Sequence, residues 1–173
     1  MPKISNSDEC RKAYSSLSLT QQRRLGARFV ANVLDLTDDP QVKNGQEIAE
    51  KVGVTADDLN DAYDRVRAVY LSTHPRSGCT ELDYKQQAAH FVAEACMICL
   101  SPTYPEQHTS HVVDRVAMYC QMARHFSAIQ LVGGYPKFEG VEEAVKKEVD
   151  SQYQLLSDYL EENKLQVTPS RNQ

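Results

Sequence analysis

Apolar residues recur every three or four positions along most of the chain, and that period lines them up on one stripe of an α-helix instead of one face of a strand. After Thr20, Leu25, Phe29, Val33 and Leu36 follow at intervals of four, four and three, and Thr37-Asp38-Asp39-Pro40 closes the segment. A shorter helical stretch, Gln46 to Val52, stops at Gly53. Thr55 with Asp58 three residues on has the form of an N-cap signal, and Leu59, Ala62, Val66, Val69 and Tyr70 supply the stripe of the helix that follows, up to His74-Pro75-Arg76-Ser77-Gly78. Thr80 and Asp83 repeat the cap signal ahead of Tyr84, Ala88, Phe91, Ala95 and Ile98, a run that ends before Ser101-Pro102.

The next helix is expected from Thr109 to Leu131, with Val112, Val116, Tyr119, Ala123 and Phe126 on its stripe. Gly133-Gly134-Tyr135-Pro136 breaks it and reads as a linker. From Val141 to Asn163, Val145, Val149, Gln152, Leu156 and Tyr159 keep a four-three spacing suited to packing along another helix. No strand-like alternation persists. The expectation is an all-α, compact bundle of about six helices, a single helical domain over residues 1–165 with a frayed tail over 166–173. A weak helix-pair duplication is also suggested: Arg28-Phe29-Val30-Ala31-Asn32 and His90-Phe91-Val92-Ala93-Glu94 share three consecutive residues, with Pro40 and Pro102 at equal distance. Ala, Val and Phe recur on any core-facing helix, so helical grammar alone produces the same match.

No stretch reaches the ~18 apolar residues of a membrane helix, and MPKISNSDEC lacks the apolar core of a secretory signal. A cytoplasmic protein is expected. Its cysteines, Cys10, Cys79, Cys96, Cys99 and Cys120, are odd in number and read as reduced, buried thiols. The formal net charge of −5 works against broad attraction to nucleic acid or anionic lipid.

Three groups of residues carry chemistry worth testing. Residues 45–64 resemble a helix-turn-helix motif, with Ala49 and the turn residue Gly53 four apart and Ile48, Val52, Val54 and Leu59 placed to pack two helices on a third. The resemblance implies a DNA-reading second helix, but that helix presents Asp57, Asp58, Asp61 and Asp64 where a phosphate backbone would lie, and only Arg65 and Arg67 oppose them. A helical corner or a protein-binding surface built on Asp57, Asp58, Asn60, Asp61 and Asp64 fits these charges better than a DNA reader.

Cys96 and Cys99 stand at i and i+3, the spacing of a thiol-exchange or metal pair, but near the C-terminal end of their helix, where the dipole does not favour a thiolate. His90 and Glu94 lie one turn apart, and His108 and His111 lie near the start of the following helix, so these four side chains could converge on a metal between antiparallel helices. The repeated Glu-x-x-His pattern of a di-metal bundle is missing, and capping or hydrogen-bonding roles compete for the same histidines. No phosphate loop, nucleophile elbow or Ser-His-Asp arrangement supports an enzyme. The sequence calls for no cofactor. It reads as a non-enzymatic helical protein-interaction or regulatory protein, with another protein as partner and an oligomer allowed. A DNA-binding regulator and a thiol or metal protein are the alternatives.

Overall fold

The computed structural model describes residues 4–74, 83–101 and 111–167, with side chains through residue 163. Among the described residues, seven α-helices pack into one all-α bundle: α1 (Ser7–Ser15), α2 (Leu19–Ala31), α3 (Pro40–Glu50), α4 (Ala56–Thr73), α5 (Tyr84–Leu100), α6 (Val112–Ala128) and α7 (Val141–Val167). A 3₁₀ turn, Leu34–Leu36, follows α2, and a two-stranded hairpin, β1 (Gln130–Val132) and β2 (Tyr135–Lys137), joins α6 to α7.

Side-chain caps set most of the helix starts. Ser18 and Gln21 form a reciprocal capping box on α2, and Thr55 and Asp58 form another on α4, so each pair satisfies backbone donors that the first turn leaves open. Asp83 caps α5 by accepting from the Gln86 N–H; Thr80 lies outside the described residues. Asp39 caps α3 with Pro40 in the first turn, so Pro40 opens that helix six residues before the expected start at Gln46. The helix through Phe29 likewise ends at Ala31, and Leu36 sits in the 3₁₀ turn beyond it. The short helix α1 was not expected; Asn6 caps it and Cys10 and Tyr14 anchor it in the core.

Helix α5 is the centre of the bundle, packed against α2, α3, α4 and α6. Ten of its residues are buried, from Ala88 to Leu100, because neighbours cover it on several sides. The approach of α2 and α3 to it is close: a Cβ built on Gly45 would lie 3.0 Å from Leu100 Cδ1 and 3.1 Å from Cys96 Sγ, as well as 2.7 Å from Val66 Cγ2 of α4, and one on Gly26 would lie 3.0 Å from Cys99 Sγ. Cys96 and Cys99 are thus small side chains facing two glycines, and their i, i+3 spacing serves helix packing.

Helix α7 binds the bundle through a stripe that differs from the expected one. Gln152, Leu156 and Tyr159 are buried as their spacing places them, but Val145 and Val149 are only half-buried, and Glu148, outside that stripe, is buried. Burying a carboxylate without partners is costly. Here Asn32 Nδ2 and Gln152 Nε2 donate to Glu148 at 2.7 and 2.9 Å, and Arg124 Nε lies 3.5 Å from it. Gln152 Nε2 also donates to the Ala117 carbonyl, so polar groups fix the register of α7 on α6 while Arg124 carries the connection on to Asp35. Burial still holds the Glu148 carboxyl above its ordinary value.

The helix expected to run to Leu131 ends at Ala128, and the expected linker at residues 133–136 is the turn and part of the second strand of a β-hairpin whose first strand is Gln130–Val132. Gly133 and Gly134 both have positive φ, 62° and 82°, as a two-residue type I′ turn demands. The register pairs Gln130 with Lys137, Leu131 with Pro136 and Val132 with Tyr135. Strands of three residues are too short to leave a readable alternation in the sequence.

Candidate interaction surfaces

The helix-turn-helix-like corner folds as two helices joined through Gly53, whose φ of +72° lets the chain reverse without strain. Ala49 and Leu59 are buried, Ile48 and Val54 are half-buried against the core, and α3 packs on α2 and α4. Gln46 Nε2 donates to the Ala27 carbonyl and Arg28 pairs with Glu50, which ties α3 to α2 with polar contacts as well. One residue departs from the motif: Val52, expected in the packing, is 75% exposed, because the helix ends at Glu50 and the chain carries Val52 outward before the turn.

On α4, Asp57, Asp58, Asn60, Asp61 and Asp64 are all exposed, while Leu59, Ala62, Val66 and Val69 are buried on the opposite side. Asp58 has a local duty in the capping box, and its hydrogen bonds to Thr55 hold its carboxyl below the ordinary carboxylate value. Asp57, Asp61 and Asp64 follow at four and three residues along one line of the helix. Among the described residues no ion pair within 4.0 Å engages them.

The thiol and histidine residues are dispersed through other tasks. Cys96 and Cys99 are fully buried together with Cys120, and Cys10 is buried under α1; all four are free. The Cys96 thiol donates to the Val42 carbonyl at 3.6 Å, and burial pushes its pKa up to about 12. Cys99 and Cys120 are raised in the same direction, the reverse of what a nucleophilic thiolate needs.

His90 stacks on Tyr70 with ring centroids 4.4 Å apart, and its Nδ1 lies 3.2 Å from both the Tyr70 carbonyl and Thr73 Oγ1. Burial holds this imidazole below its ordinary value. His111 stands at the N-cap of α6 and its Nε2 lies 3.1 Å from Ser15 Oγ of α1. His108 and Cys79 lie outside the described residues. Among the described residues no group of three or more His, Cys, Asp and Glu side chains is placed to hold a metal ion.

Glu94 faces a cavity of about 240 Å³ between α4, α5 and α6, which Tyr63, Tyr70, Met97, Ile98 and Arg115 also line. Burial holds the Tyr119 hydroxyl above its ordinary value, and Glu94 acts in the same direction.

The surface that sequence reasoning missed is the hairpin. Every residue from Gln130 to Gly140 is exposed, and among them Leu131, Val132, Tyr135 and Phe138 are 57, 48, 78 and 58% exposed. Only the flanking Ile129 and Val141 turn inward. The signal was present in the sequence: two glycines separating Leu131-Val132 from Tyr135 have the form of a two-residue hairpin turn. Among the described residues no helix is long and apolar enough to cross a membrane. Comparisons of the chain with protein-family models, with curated proteins and with solved structures return no match.

Proposed function

We propose that this chain is a non-enzymatic, cytoplasmic protein-interaction module with a regulatory role, and that its contact element is the β1–β2 hairpin. The observation that carries the reading is the uncovered apolar surface of Leu131, Val132, Tyr135 and Phe138. Single exposed apolar residues are ordinary, but here four large ones lie exposed within eight positions, Leu131 on one face of the hairpin and Val132 with Tyr135 on the other, a local density of uncovered apolar side chains that suits a binding surface. A two-stranded hairpin is marginal in water without a third strand or a covering layer, so a partner that covers it would also stabilise it. The test is affinity capture with the intact protein and with a Tyr135→Ser/Phe138→Ser variant, bound proteins being identified by mass spectrometry. A partner retained by the intact protein and lost from the variant is expected; identical capture by both would remove the hairpin from the reading.

A second surface is supported by the exposed line of Asp57, Asp61 and Asp64, with Asn60 beside it, which suits a basic protein segment. The same charges disfavour duplex DNA, whose binding gains much of its strength from phosphate neutralisation and counterion release. Titration of random and genomic duplexes at low and moderate salt separates the two. No salt-sensitive duplex binding is expected, and selective binding that Asn60→Ala abolishes would install the DNA-binding reading instead.

A further inference from the structure

The two edges of the hairpin are chemically unequal. In a hairpin closed by a two-residue turn, the pair that flanks the turn, Val132 with Tyr135, exchanges hydrogen bonds, the next pair does not, and the third does. Leu131 and Pro136 are that middle pair, so their backbone polar groups face away from each other, along the outer edges. On β2 the middle residue is a proline, which has no N–H to offer, and that edge is blunted against strand addition. On β1 the corresponding residue is Leu131, with both an N–H and a C=O directed outward. Among the described residues no backbone hydrogen bond outside the hairpin engages Leu131.

We propose that two copies of this chain pair antiparallel along their β1 edges, Leu131 against Leu131 of the second copy, to form a four-stranded sheet closed on both outer edges by Pro136. This rests on the hairpin being the interaction element. One residue that presents a donor and an acceptor on the same edge is complementary to itself about a two-fold axis, and this is the requirement of an isologous dimer. Each Leu131 N–H donates to the other copy's Leu131 carbonyl. Charge permits the contact at this place. The chain carries a formal net charge of −5, yet residues 129–138 contain no acidic side chain and a single lysine, Lys137. Copies that repel elsewhere meet here without like-charge opposition between acidic groups. Pairing brings Leu131 beside its copy on one face and extends the apolar face of Val132 and Tyr135 on the other. Because Pro136 blocks the remaining edges, the assembly stops at two.

The test is sedimentation velocity across a wide concentration range, with amide hydrogen exchange at Leu131 read in parallel. The intact protein is expected to show a concentration-dependent monomer–dimer equilibrium, with Leu131 exchange slowing as the dimer fills. Leu131→Pro removes the outward N–H together with the leucine side chain and is expected to weaken the dimer about tenfold or more beyond Leu131→Ala, which keeps the N–H; that difference reads the loss of two backbone hydrogen bonds. Pro136→Val restores an N–H to the blunted edge and is expected to yield species larger than the dimer. Circular dichroism should show unchanged helix in all three variants, since the hairpin lies outside the core. An intact protein that remains monomeric at concentrations on the order of several hundred micromolar, a dimer weakened no more by Leu131→Pro than by Leu131→Ala, or a Pro136→Val variant that stops at the wild-type distribution would each overturn the proposal. The intact and Tyr135→Ser/Phe138→Ser proteins keep the two readings apart. A monomer that loses a captured partner on those substitutions removes self-pairing alone; a monomer that loses nothing removes the interaction role as well.

Discussion

Two pairs of glycines do opposite work in this molecule. Gly26 and Gly45 lie inside helices where a Cβ would press on Cys99, Val66, Leu100 and Cys96, so they are small because there is no room. Gly133 and Gly134 have nothing within 4 Å of a Cβ position, and they are glycine because the turn needs positive φ. The first pair sets how closely α2 and α3 approach α5. The second sets the shape of an exposed hairpin and touches no core. Changes in the bundle should therefore alter global stability, and changes in the hairpin should alter only what the surface can bind.

The largest expected effect tests whether α7 belongs to the core side of this contrast. Leu156 is fully buried, and Leu156→Ala should lower the unfolding free energy by about 2–4 kcal/mol through lost transfer energy and a residual cavity. Urea denaturation reads it directly. A variant as stable as the intact protein would mean that α7 contributes little to the bundle.

Next comes Gly45→Ala. Ala is the better helix former by about 1 kcal/mol, but its Cβ would sit 2.7 Å from Val66 and 3.0 Å from Leu100, and overpacking typically costs about 1–3 kcal/mol. A net loss is expected in thermal or urea unfolding. A gain in stability would show that the contacts of α3 with α4 and α5 have slack.

A smaller effect concerns pH. His90 is held below the ordinary imidazole value of 6.5 because burial disfavours its charge; His74 reinforces this, and Glu94 and the Tyr70 carbonyl oppose it. As pH falls past 6.5 the unfolded chain takes up this proton first, so stability should decline until the folded imidazole itself titrates. Glu148 acts in the opposite sense at lower pH, since its raised carboxyl takes up a proton first in the folded state. The informative quantity is the difference in slope between intact protein and His90→Gln, measured as unfolding free energy against pH. Equal slopes would show that His90 is as well solvated folded as unfolded.

The smallest expected effect is on the hairpin side. Gly134→Val should distort the turn yet change global stability by no more than about 0.5 kcal/mol, because an exposed element can open locally while the bundle stays folded. A larger loss in calorimetry would show the hairpin to be coupled to the core, and the contrast between the glycine pairs would fail.

Particular residues show where the sequence could be read and where it could not. Leu59, Ala62, Val66 and Val69 are buried as their spacing demands, as are Ala88, Phe91, Ala95 and Ile98. The Thr55–Asp58 signal became a capping box. The C-x-x-C pair carried a chemical suggestion that its surroundings do not favour, because spacing along a helix records which side a thiol faces and not whether a glycine or a cation waits there. Val52, which the motif's spacing places in the packing, is exposed, since the chain leaves the helix two residues before the expected end. The burial of Glu148 is not legible in the sequence because, beyond Gln152 one turn away on α7, its partners Asn32 and Arg124 come from distant parts of the chain.

Periodicity and caps are local properties, set by the 3.6-residue turn and by backbone donors within a few residues, and so the chain by itself determined that it is helical and which stripes are apolar. Which stripe meets which neighbour depends on contacts between residues far apart in sequence. The tertiary structure alone decided that Cys96 and Cys99 face Gly45 and Gly26, that a carboxylate is buried at Glu148, and that Leu131 and Tyr135 stand uncovered, because each of these is a property of what the rest of the chain places, or fails to place, around one side chain.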